Sequence, residues 1–161
     1  MMDGIQDKDY AADYLALKAA NDQLRERGLR WLLETLEHVC AEINRRLMAQ
    51  AGQTALQIGR QEWQFKVGNS TMIGQRLGVR YRDRTLIVEA GWPREPEHGH
   101  VPDQGLARGR ISLVEAKATD ELILRHWGEG EAAWYVIENK KLGEVVTEAR
   151  LRAYLQATLA S

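Results

Sequence analysis

The apolar residues of this chain change their period once, and that change limits the folds open to it. Up to residue 50 they recur at helical spacing, and beyond Gly52 they alternate. Tyr10, Leu17, Leu24 and Trp31 recur every seven residues. Leu29, Leu32, Leu36, Val39, Ile43 and Leu47 then step by three and four, with Glu34, Glu37, Arg45 and Arg46 between them. This predicts an amphipathic helical segment over 8–50. Gly28 interrupts it at a cost of about 1 kcal/mol relative to alanine, so a bend or break is expected near Arg27 and Gly28. A stripe this rich in leucine must be buried, and the chain's own sheet is the expected cover. The part from Tyr10 to Leu24 has fewer apolar residues per turn and is the candidate arm for a homodimer. Cys40, the only cysteine, falls within the stripe, where a small buried thiol is expected.

Beyond Gly52, Trp63, Phe65 and Val67 alternate with Gln64 and Lys66, while Leu77, Val79 and Tyr81 alternate with Arg76, Gly78, Arg80 and Arg82. Leu86, Val88 and Ala90 follow a short turn at 82–84. Gly68 and Asn69 suit a hairpin turn, and Gly74 suits another turn or a bulge. From Gly91 to Gly109 the pattern stops: all three prolines (Pro93, Pro96, Pro102), four glycines, His98 and His100 lie there. A loop of this length without periodicity marks a functional or mobile segment. Arg110–Glu115 reads as a strand, Thr119–Trp127 as a short helix and Ala133–Ile137 as a strand. Thr147 is placed to cap a closing helix over 145–159 that carries Leu151, Leu155, Leu159 and Tyr154. The expectation is a single α+β domain over 1–161. Its mainly antiparallel sheet of about five strands spans 54–139, with both helical segments packed on one face.

The formal net charge is −1, so the whole molecule is no evident polyanion binder. Residues 52–112, however, carry nine Lys and Arg against six Asp and Glu. No apolar run approaches bilayer length, no membrane partner is expected, and the expected setting is cytoplasmic. If helices cover one sheet face, Arg76, Arg80 and Arg82 project from the other, with Lys66 as their counterpart on the first strand. Arginine forks suit phosphate. Trp92 at the mouth of the loop, with Arg94, His98, His100 and Arg108, completes the expected contact surface. The chain thus reads as a non-catalytic binding or accessory module for a protein or nucleic-acid partner. His98 and His100, with Glu97 and Asp103 nearby, supply two sure metal ligands where a zinc site needs three or four, so no metal is assigned.

An enzymatic alternative rests on the end of the loop. Pro102-Asp103 is followed twelve residues later by Glu115-Ala116-Lys117, at the end of an apolar strand. This arrangement resembles the PD-(D/E)XK nuclease signature. The resemblance implies a Mg²⁺ ion bridged by Asp103 and Glu115, with Lys117 positioning the attacking water. The same acidic-x-Lys spacing recurs at Glu138-Asn139-Lys140. No phosphate-binding glycine loop, dinucleotide fingerprint or nucleophile elbow is present, so no cofactor is expected outside the Mg²⁺ of this alternative.

Overall fold

The helical period continues through Gly28 without the expected break. In the computed structural model, which describes residues 2–128 and 130–160 (the side chains of 2–9 excepted), α1 is one helix, Met2–Met48. Gly28 serves close packing instead: a Cβ there would lie 2.7 Å from the Leu124 side chain, and the Trp134 indole N–H donates to the Gly28 carbonyl at 2.8 Å. The glycine brings the helix backbone down onto the sheet, which offsets its low helix propensity.

Seven strands follow in a plain meander: β1 (Gln57–Val67), β2 (Ser70–Tyr81), β3 (Arg84–Trp92), β4 (Ala107–Leu113), β5 (Ala118–Arg125), β6 (Ala133–Glu138) and β7 (Lys141–Val145). Each pairs antiparallel with its sequence neighbours, and the sheet order is the chain order. The sheet therefore has seven strands where about five were expected. The segment read as a short helix, Thr119–Trp127, is mostly β5. Leu122, Ile123 and Leu124 are all buried, so both faces of this strand are covered and no alternation marks it. The Arg110–Glu115 strand also shifts, because Ala107, Arg108 and Gly109 pair with Leu124, Ile123 and Leu122. With Gly91 and Trp92 in β3, the irregular segment shrinks to 93–106, which holds two single-turn 3-10 helices, Pro96–His98 and Pro102–Gln104.

The core lies between the sheet and the helices. Leu29, Leu32, Leu33, Leu36, Val39 and Ile43 of α1 meet Leu77, Val79, Leu86, Val88 and Ile111 of the sheet. The closing helix α2 (Glu148–Leu159) adds Leu151 and Leu155 to the same layer. Thr147 caps α2 as expected, its hydroxyl accepting from the Arg150 N–H at 3.2 Å. Tyr154 donates to the Asp120 carboxylate on β5, and burial together with that bond pushes its hydroxyl up to about 12.

Cys40 is fully buried in this layer, and burial, aided by Glu37, pushes its thiol up to about 12. The thiolate is the reactive form, so native protein should resist a thiol-specific reagent near neutral pH and react fully once unfolded by denaturant. Equal labelling rates in the two states would contradict the placement.

Register changes one further expectation. Trp63 pairs with Gly74 and Phe65 with Met72, which puts Trp63, Phe65 and Val67 on the face away from the helices. There they form a second apolar cluster with fully buried Met72. Lys66 consequently points to the opposite side from Arg76, and its ammonium donates to the Thr71 hydroxyl at 2.7 Å. Gly74 is neither turn nor bulge. It lies within β2 against Gly91 of β3, where an added Cβ at 91 would meet the Ile73 backbone at 2.6 Å.

Candidate functional site

The face away from the helices is built from the strand register. One row across it reads Arg76, Glu89, Arg110 and Glu121, on β2, β3, β4 and β5. Alternating charges at directly paired positions attract one another, and here they form a network. Arg110 donates Nε to Glu121 at 2.6 Å, lies 3.4 Å from Glu89, and donates a further N–H to the Lys66 carbonyl at 2.8 Å. The Lys66 contact joins β1 to β4 across two intervening strands, so the sheet is curled toward this face. The Trp63 indole N–H donates to Glu89 at 2.9 Å across side-chain-free Gly74, and Arg76 stacks over the same indole at 4.6 Å.

Arg108, expected as a contact residue, is buried in this network with its side chain only 7 % exposed. Its Nε donates to the Leu122 carbonyl at 3.1 Å, and its guanidinium lies 3.5 Å from Asp103 and 3.6 Å from Glu121. Burial lowers its pKa, with Glu121 and Asp103 pulling the other way. Burial also opposes the charge of Arg110, but hydrogen bonds and attraction from Glu121 and Glu89 outweigh it and raise the pKa. These two arginines tie β3, β4 and β5 together through Glu89, Glu121 and the Leu122 carbonyl.

Trp92 also departs from expectation: it is 4 % exposed, on the helix side of the sheet. Its parity in β3 matches Val88 and Ala90, which point into the core. Arg94 stacks over its ring at 3.8 Å and donates to the Ile73 carbonyl at 3.2 Å. The loop itself is tied down. The His98 Nδ1 accepts from the Arg94 and Glu95 N–H groups, and the His100 N–H donates to the Ser70 hydroxyl at 3.3 Å. His98 gathers with Glu95 and Glu97, ligand atoms within 4.8 Å of one another, and not with His100 or Asp103. One imidazole nitrogen is already engaged and both carboxylates are exposed, so the cluster carries no metal assignment.

The nuclease alternative loses its geometry. Asp103 is anchored to Arg108 before β4, whereas Glu115 lies in the turn after it, accepting from the Thr85 N–H at 2.8 Å. The length of β4 separates the two carboxylates by about 20 Å. Lys117 lies in the same turn as Glu115, with φ 53, so strand alternation does not align the pair. Among the described residues Asp103 and Glu115 line two different pockets.

One part of this face remains open. Gly59 of β1 pairs with Gly78 of β2, and neither has an atom within 4 Å of where a Cβ would stand. On β2, Arg76 and Arg80 stand two residues to either side of Gly78, with Gln57, Gln61 and Thr85 around them. Arg76 stands directly across from Glu89 and stacks on Trp63, and neither it nor Arg80 forms a salt bridge among the described residues. Arg80 donates Nε to the Arg82 carbonyl at 3.0 Å, which ties it to the hairpin tip where Arg82 stacks on Tyr81. The result is a bare backbone floor about 13 Å long between two cations. Glycine inside a strand, unfavourable in itself, is the sequence signal of such close approach, and Gly59 and Gly78 carried it unread.

These features define a class: an α+β module whose helices cover one face of a seven-stranded antiparallel meander and whose other face carries an arginine-flanked floor. No protein family, curated protein or solved structure was found to match the chain. No helix among the described residues is long and apolar enough to cross a membrane.

Proposed function

We propose that this protein is a non-catalytic recognition module that binds the phosphate backbone of a nucleic acid on the floor between Arg76 and Arg80, with Arg82 at its end. The observation that carries this reading is the Gly59–Gly78 pair, which leaves the sheet backbone bare between Arg76 and Arg80. Glycine admits a ligand backbone close to the strand, and guanidinium forks grip phosphate oxygens in pairs. Arg94, on the helix side beside Trp92 and 3.8 Å from Glu26, and the loop histidines at the Ser70 end of β2 lie outside this floor. The working unit is a homodimer joined through the N-terminal part of α1, and its setting is cytoplasmic.

Three phosphate contacts give log K a slope of about −2.7 against log salt, or ~40-fold weaker binding between ~50 and ~200 mM salt. Anisotropy titration of labelled duplex oligonucleotides should show this slope, and single strands one of about −2.1, each reduced by about one unit for Arg76→Ala and for Arg80→Ala. Gly78→Val should block the floor while leaving the fold intact, because valine suits a strand. Binding indifferent to salt and to all three substitutions, or no binding at all, would overturn the reading. Retention on an acidic protein surface in place of oligonucleotide would mark a protein partner.

A further inference from the structure

The N-terminal part of α1 projects beyond the sheet. Every side chain from Tyr10 to Ala20 is exposed, although the segment YAADYLALKAA contains only two charged residues. Tyr10 is 75 % exposed, Tyr14 65 % and Leu17 61 %, while Asn21 and Leu24 further along are half-buried. An isolated helix this apolar needs a partner to stay dry. A groove of about 460 Å³ runs beside it, between Tyr14, Leu17 and Asn21 on one side and Pro93 and Pro96 on the other.

The spacing of these residues names the partner. Tyr10, Leu17 and Leu24 occupy one core position of a heptad, and Tyr14 and Asn21 the other. The seam runs ~22 Å along the helix and ends where Gly28, at the next core position, meets the chain's own Leu124. It lies roughly 90° around α1 from the stripe that packs on the sheet, so two copies joined here place their sheets on opposite sides. Resting on the dimeric reading above, we infer that two copies of this chain pair through Tyr10–Leu24 as a parallel, in-register coiled coil.

Two features select the parallel arrangement. Asn21 meets its own copy across a parallel seam, where each amide can donate to the other, whereas an antiparallel seam sets it against tyrosine or leucine. Asp13 and Lys18 flank the seam at positions that face each other between chains only when the helices run parallel. Antiparallel pairing that sets Asn21 against Leu17 would bring Lys18 beside Lys18 of the other copy. Within its own chain Lys18 lies 3.8 Å from Asp22, at the exposed surface, and stays free to turn toward a partner.

Light scattering on the full chain at about 100 μM should report twice the 18.3 kDa of one chain. Asn21→Cys should then form a disulfide-linked dimer on mild oxidation, since the only native cysteine, Cys40, is buried. Leu15→Cys, exposed on the other side of the helix, should stay uncrosslinked. A dimer whose Asn21→Cys variant fails to crosslink would overturn the parallel register and leave self-association standing. A species of 18.3 kDa at that concentration would overturn both.

Discussion

Arg110→Ala is expected to destabilise the fold by about 3 kcal/mol, read as a lowered urea midpoint with unchanged slope. Arg110 neutralises Glu89, whose side chain is only 15 % exposed, and shares Glu121 with Arg108. It also holds the Lys66 carbonyl and covers the Phe65 ring at 5.5 Å, so its loss uncovers the second apolar cluster and leaves a carboxylate in a poorly solvated place. Removing one partner of a buried ion set costs more than the set itself contributes, because the remaining charge stays desolvated. A double-mutant cycle separates the terms. In a Glu89→Gln background, where the Trp63 bond survives but the charge is gone, Arg110→Ala should cost at least ~1 kcal/mol less. Strict additivity of the two substitutions would refute the coupling.

Gly74→Val should be more damaging, at about 3 kcal/mol or more, and should abolish folding if the native protein is only marginally stable. A Cβ at Gly74 would run into the Ala90 carbonyl and the Gly91 Cα, which are backbone atoms with no rotamer through which to yield. Gly78→Val provides the contrast on the same strand and the same face. Nothing stands within 4 Å of its Cβ position, so valine should be neutral or mildly stabilising there. Thermal melts of the two variants should differ sharply, and similar melting temperatures would deny the close approach of β2 and β3.

Much of this fold was legible in the order of residues, and the failures share a cause. α1, α2 and the alternating stretches of the first three strands declared themselves because each such stretch keeps its apolar residues to one face, which prints a period on the chain. β5 buries both faces around Leu122–Leu124, so its apolar run carried no period and read as helix. β7, Lys141–Val145, has no buried residue and printed nothing at all. Gly28 read as a helix breaker because propensity sees only the local cost, while its compensation, contact with Leu124 and Trp134, lies about a hundred residues away. At the candidate site Arg76 and Arg80 were legible from alternation. Arg108 and Trp92 were misjudged because exposure depends on what packs over a residue from elsewhere in the chain.

The sequence by itself determined the two helical segments, the strands that alternate, the capping of α2 by Thr147 and the burial of Cys40, since each follows from neighbours within a few residues. Only the tertiary structure decided which face of the sheet each alternating set occupies, because a register shift of one residue exchanges the two faces. That choice turned Trp63 and Phe65 away from the main core and locked Arg108 and Arg110 into a charge network. It also separated Asp103 from Glu115 and left Gly59 beside Gly78 as open floor.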